Sequence, residues 1–215
     1  MCIIIIKKAG IELDKKYLEE CVKCSAKRND DGFGYSLQKA NGTVTFEKGF
    51  FDVQSFLGSI FKNTIKKEDE LVVHLRYTTI GKTNTQNCHP FLADEKGILR
   101  SNGTVTKPLV FHNGTFYGEA PEKSVYSDTY HFVQNNLMES GIYKVLDYLK
   151  GSKSGFLGDI ISFNKLCVMI PGREVLTLGH FLTEKGLQFS NTYYKYPFSG
   201  NGDVADPISC ESFLK

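Results

Sequence analysis

A chain of 215 residues, 41% hydrophobic and 13% aromatic, is long enough to bury a substantial core, and residues 1–215 are expected to form one domain. The formal net charge is only +2, and the basic side is almost all lysine, with Arg28, Arg76, Arg100 and Arg173 the only arginines; this excludes a nucleic-acid footprint. The apolar start Cys2 to Ile6 meets Lys7 and Lys8 at once, too short for a signal-peptide core or a membrane span, so a cytoplasmic protein with reduced cysteines and no membrane attachment is expected.

Cys2 to Ile6 is a β-branched apolar run that reads as a buried strand. Leu13, Tyr17, Leu18, Cys21 and Val22 recur at helical spacing, and the polar cluster Lys27 to Asp31 ends that helix. Phe33 to Leu37 and Thr43 to Phe46 flank Asn41-Gly42, a strong hairpin signal because both turn positions favour positive φ. Val53, Phe56, Leu57, Ile60 and Phe61 predict a second helix, and Leu71 to Thr78 a β-prone central strand. Further strands are expected at Ile98 to Arg100 and Leu109 to His112, each followed by an Asn-Gly turn. Ser127 and Asp128 stand where a helix would be capped, with helical segments filling the chain to about Phe163. Lys165 to Ile170, Val175 to Phe181 and Leu187 to Phe189 read as strands separated by Pro171-Gly172 and Lys185-Gly186. From Ser199 the Gly-, Asp- and Pro-rich tail is expected to pack loosely.

A cysteine at position two permits removal of Met1, which leaves a thiol and a free α-amine on one residue. That amine titrates near pH 8 (about 7.7 to 8.0) and can accept the thiol's proton without a histidine partner. The plainer reading of Cys2 is a residue packed in the first strand.

Six segments in order bear on that choice: Met1-Cys2, Asp31-Gly32-Phe33-Gly34, His74-Leu75-Arg76-Tyr77-Thr78-Thr79, Asn87-Cys88-His89-Pro90-Phe91, Phe111-His112-Asn113-Gly114 and Ser127-Asp128-Thr129. Together they resemble the class II glutamine amidotransferases, the glutaminase domains of glucosamine-6-phosphate synthase, asparagine synthetase and glutamate synthase. The resemblance implies the four-layer α-β-β-α sandwich of the N-terminal-nucleophile hydrolases, an α+β fold of two mainly antiparallel sheets.

It also implies roles. Cys2 would be the nucleophile, and Arg76 would grip the substrate's α-carboxylate with its two-pronged guanidinium, against the alternative of a salt bridge. Thr79 would add a hydroxyl there, or is simply a β-prone residue. The Asn113 side chain and Gly114 backbone N–H would form an oxyanion hole, although Asn-Gly elsewhere in the chain reads as a turn. Asp128 would pair with the α-ammonium, cap a helix with Ser127, or both. His89 matches a histidine near the family's site, in a supporting position.

The implied substrate is glutamine or a γ-glutamyl compound, with no cofactor and no metal. Ile80 stands where the synthase branch has histidine, and the glutaminase-like segments take up the whole chain. Ammonia would therefore pass to a separate acceptor enzyme or to solvent. Cys21-Val22-Lys23-Cys24 is one cysteine pair without a second, a weak zinc signal. A papain-like pairing of Cys88 or Cys167 with a histidine has no spacing in its favour. The stronger rival is a catalytically silent protein of the same fold that binds an amino acid or γ-glutamyl ligand.

Overall fold

A computed structural model describes residues 1–138, 142 and 164–196. The chain runs β1 (Ile3–Lys7), α1 (Lys15–Ala26), β2 (Phe33–Gln38), β3 (Val44–Phe50), α2 (Val53–Lys62), β4 (Glu70–Leu75), β5 (Phe91–Leu92), β6 (Asn102–Val105), β7 (Leu109–Asn113), α3 (Asp128–Phe132), β8 (Lys165–Met169), β9 (Leu176–Leu178), β10 (Leu182–Glu184) and β11 (Leu187–Phe189). It is an α+β fold of two sheets. One has seven strands in the order β10-β11-β1-β4-β2-β3-β6, the other four in the order β5-β7-β8-β9, and every recorded pairing is antiparallel.

Strand periodicity sorts the core. Ile3 and Ile5 of β1 face one way with Phe33, Leu37, Val73 and Leu75, against Leu18, Val22, Phe56 and Ile60 of the two helices. Ile4 and Ile6 face the other way with Val44, Phe46 and Val72, and meet Leu109, Phe111, Cys167 and Met169 of the second sheet. The far side of the second sheet carries Val110, Leu166 and Val168 against Phe132, Val133 and Leu137. A strand covered on both faces must be apolar throughout, which is why β1 is a continuous isoleucine run; each such side chain contributes about 1.5–3 kcal/mol on burial. The exception is Lys7, whose buried ammonium donates to the carbonyls of Lys66, Lys67 and Asp69 at 2.8, 2.7 and 2.5 Å. Asp14 and Asp52 cap α1 and α2 by accepting from Tyr17 N and Ser55 N.

Four expectations are corrected. Ile98 to Arg100 is turn and coil, and the strand is Asn102–Val105, recruited by pairing with β3; Asn102-Gly103 therefore lies inside a strand. Val175 to Phe181 is not one strand, because Gly179 turns the chain at φ +88°, so that β9 joins the small sheet and β10 the large one. The central strand stops at Leu75, where Arg76 N bonds Gly32 O and the chain leaves the sheet, so Arg76 to Thr78 is loop. Cys24 is disulfide-bonded, whereas Cys2, Cys21, Cys88 and Cys167 are free. Pairing depends on which thiols the fold brings together, which neither spacing nor compartment reports. It also removes Cys24 as a thiolate ligand, and among the described residues no group of His, Cys, Asp or Glu could hold a metal ion. None of the described helices is long and apolar enough to cross a membrane. The helical stretch expected to reach Phe163 lies largely outside the described residues, as does the tail from Ser199.

Gly34 shows how tightly the sheets close at one end. A Cβ there would lie 2.0 Å from the backbone carbonyl oxygen of His89 and 2.7 Å from Lys48 Cβ, so Gly34→Ala should cost about 2–3 kcal/mol and lower the thermal midpoint by roughly 5–10 °C. Gly58, in α2 with nothing within 4 Å, is the control: Gly58→Ala should gain up to about 1 kcal/mol in the same melts.

Candidate active site

Antiparallel pairing brings the start of β1 beside the end of β4. Ile3 faces Leu75, so one step further Cys2 comes opposite Arg76, and the start of β2 lies on the far side of β4 with Phe33 facing Leu75. The same end holds the exit of β7 and the start of α3. There Cys2, Arg76, Tyr77, Thr79, Ile80, His89, His112, Gly114, Ser127, Asp128 and Thr129 line a cavity of about 10 Å³, room for roughly one water. A larger cavity of about 320 Å³ opens at the opposite end of the sheets, between the β2–β3 hairpin and the β8–β9 turn, far from these groups.

Cys2 is 8% exposed. Its Sγ accepts from Tyr77 N–H at 3.4 Å and donates to Tyr77 O at 3.6 Å, and burial pushes the thiol's pKa up. The carbonyls on either side are anchored: Asn29 Nδ2 donates to Met1 O at 2.8 Å and Asn191 Nδ2 to Cys2 O at 2.7 Å. The α-amine carried by Met1 is pushed below its ordinary value, chiefly by burial, with Arg28 adding to the shift.

Arg76 is 2% exposed and uses two donors on its own loop, Nη1 to Lys82 O and Nη2 to Ile80 O, both at 3.0 Å. The loop is tied from outside as well. Asp31 accepts from Thr78 N at 2.7 Å and from Thr83 Oγ1 at 3.2 Å. Asn87 donates to Lys82 O and Val125 O and accepts from Ser127 N, which joins the loop to the start of α3. Ser127 caps α3 through Tyr130 N, and Asp128 Oδ2 accepts from Phe116 N at 2.7 Å. Among the described residues neither Arg76 nor Asp128 has an ion-pair partner.

Three histidines sit beneath. His74 donates Nε2–H to His112 O at 3.0 Å and stacks on His89, with ring centroids 4.0 Å apart. Burial pushes His74 down to about 3 and His89 well below the ordinary value, so both are neutral. His112, also lowered by burial, is held between Thr129 Oγ1 at 2.8 Å and Asn164 Oδ1 at 2.7 Å. Since an amide oxygen only accepts, Nε2 carries the proton and Nδ1 accepts from the threonine. Asn164 also occupies the space beside Gly114, where a Cβ would meet Asn164 Oδ1 at 2.0 Å and the backbone sits at φ +152°.

The fold thus gathers Cys2, Arg76, Thr79, His89, Gly114 and Asp128 around one cavity. Asn113 is not among the lining residues: its amide points between the sheets and donates to Ser190 Oγ at 2.9 Å. Strand alternation explains this, because Asn113 shares the inter-sheet face of β7 with Phe111, while His112 faces outward. Sequence reasoning did not assign Tyr77, His112, Asn87 or Asp31 to the site. All four lie inside the quoted segments, but nothing local says which of them reach the cavity.

No family model matches the sequence, and no curated protein matches it. Among solved structures the chain is similar to glutamine phosphoribosylpyrophosphate amidotransferase from B. subtilis complexed with ADP and GMP, at 14% identity and a TM-score of 0.48, over 88% of this chain and 41% of that one. It is also similar to the allosteric regulatory enzyme of purine biosynthesis, at 17% identity and a TM-score of 0.43, over 79% and 35%. The chain spans about two fifths or less of these proteins' length.

Proposed function

We propose that this chain is an amidohydrolase with an N-terminal cysteine nucleophile, built as a single-domain four-layer α-β-β-α sandwich and acting on the carboxamide of glutamine or of a γ-glutamyl compound. The observation that carries the reading is the placement of the Cys2 thiol on one cavity with a buried guanidinium, Arg76, and a buried carboxylate, Asp128, each without an ion partner among the described residues. An amino acid's α-carboxylate and α-ammonium complement that pair, with Thr79 adding a hydroxyl on the carboxylate side.

In this reading Met1 is removed and the Cys2 amine accepts the thiol proton. The need for a base follows from burial, which disfavours the thiolate, while burial at this end of the chain also lowers the pKa of the amine that Met1 carries and so favours its neutral form. Sulfur attacks the γ-carbonyl, and the oxyanion is met by the Gly114 backbone N–H. Asn113 joins it by turning its amide from Ser190. The C–N bond breaks as the protonated amine passes its proton to the departing nitrogen, ammonia leaves, and water cleaves the thioester to the free acid. No cofactor enters the scheme, and the ammonia passes to an acceptor or to solvent in the cytoplasm. Because the cavity has room for about one water, the substrate enters only when the 77–83 loop moves outward.

The Asn113–Ser190 bond favours the second reading, a silent ligand-binding protein of the same fold. Met1-free protein treated with a diazoketone analogue of glutamine separates the two. The enzyme reading expects one adduct, mapped to Cys2, ammonia release from glutamine, and loss of both by at least about a thousandfold in Cys2→Ala. Native protein that binds glutamine yet releases no ammonia and takes no label would be the silent binder.

A further inference from the structure

Outside the groups just used, one polar side chain on the cavity has nothing to do. His89 is 3% exposed, lines the cavity with Cys2, and neither of its ring nitrogens has a hydrogen-bond partner among the described residues. A buried polar atom without a partner costs about 1–3 kcal/mol, so a ligand that pairs even one of the two nitrogens relieves part of a real deficit. The surroundings supply no partner: His74 covers a face of the ring at 4.0 Å, and Phe91 packs against it at 4.9 Å and 78°.

We propose, building on the amidohydrolase reading, that His89 is the specificity-determining residue for the scissile group, its ring nitrogen accepting an N–H from the substrate's carboxamide and so selecting amides over esters. The charged ends of an amino acid are already matched by Arg76 and Asp128, so the uncharged imidazole is left for the uncharged end. Its polarity follows from its neighbours. The Arg76 guanidinium lines the same cavity, and a cation favours a lone pair over an N–H on the side facing it. Neutral imidazole keeps its single proton on the other nitrogen. The same lone pair still finds an N–H on departing ammonia. An ester oxygen offers it none, and neither does the carboxylate product.

The test compares kcat/KM for glutamine and for its γ-methyl ester in Met1-free wild type, His89→Phe and His89→Gln. Phenylalanine keeps the stacking on His74 and Phe91 without an acceptor; glutamine keeps an acceptor oxygen. His89→Phe should lower kcat/KM for the amide about 10- to 100-fold and for the ester less than about 3-fold, and His89→Gln should recover most of the amide rate. Equal losses on both substrates, or no loss on either, overturn the proposal. A wild-type protein that neither turns over nor labels at Cys2 overturns the amidohydrolase reading instead. A readout free of any change at position 89 is the ¹⁵N imidazole spectrum of Cys2→Ala, in which one His89 nitrogen should shift as an acceptor when glutamine is added and stay still when glutamate is. Identical responses to the two ligands also overturn the proposal.

Discussion

Replacing Arg76 with alanine should raise KM for glutamine by at least about a hundredfold and remove about 2–4 kcal/mol of stability, two losses with separate causes. The binding loss follows from deleting the only arginine on the cavity, where a two-pronged donor meets a carboxylate. The stability loss follows from the loop, since Ile80 O and Lys82 O would lose the donors that now hold them at 3.0 Å. Arg76→Lys separates the two causes. One ammonium keeps the charge but cannot reach both carbonyls and a ligand, so KM should rise about tenfold with a smaller stability loss. Steady-state kinetics beside denaturant melts read both numbers. If either variant loses stability while KM stays constant, Arg76 is a strut for the 77–83 loop and the carboxylate must be bound elsewhere.

The second large effect is on stability against pH, which should peak near pH 8. Below that, the buried histidines decide. His74 titrates at about 3 in the folded chain against about 6.5 unfolded, so between those values the unfolded state holds more protons and stability falls as pH falls. At pH 5 this costs about 2 kcal/mol for His74 alone (about 1.36 kcal/mol per pH unit), and His89 and His112 act in the same direction. Above neutrality Lys48 works the same way: burial lowers it to about 7 against about 10.4 unfolded, so stability rises as pH climbs through that window. The thiols oppose it. Burial raises Cys88 to about 11 and Cys21 to about 12, and pushes Cys2 and Cys167 up as well. From about pH 8.5 the unfolded chain loses those protons first, and stability falls. Thermal midpoints from pH 4.5 to 10 should trace this maximum, and His74→Phe should flatten its acid side. A flat profile, or a maximum near pH 5, contradicts the burial of His74, His89 and His112 in their neutral forms.

How much of this was legible beforehand depended on whether the signal was local. The isoleucine run at β1, the Asn41-Gly42 hairpin, the first two amphipathic helices and the Ser127 cap are determined by side-chain periodicity and turn chemistry within a few residues, and the folded chain shows each of them. The order of the six segments marked out Cys2, Arg76, Thr79, His89, Gly114 and Asp128, which the structure brings to a single cavity.

Everything that required knowing a partner was settled only in three dimensions. Asn113 and His112 are neighbours in the chain, yet strand alternation sends one amide to Ser190 between the sheets and the other ring to the cavity, and nothing in the tetrapeptide reveals which face is which. Asn87 reads as one polar residue among several until its amide is seen to join the Arg76 loop to the start of α3. Cys24 is disulfide-bonded although neither spacing nor compartment marks it, and β9 ends at Leu178 before β10 begins at Leu182 because β8 and β11 each recruit a different neighbour. Propensity and pattern act over about one turn or one strand. Hydrogen-bond partners, register and burial are set by residues tens of positions away, and these hold the thiol, the guanidinium and the carboxylate on one small cavity.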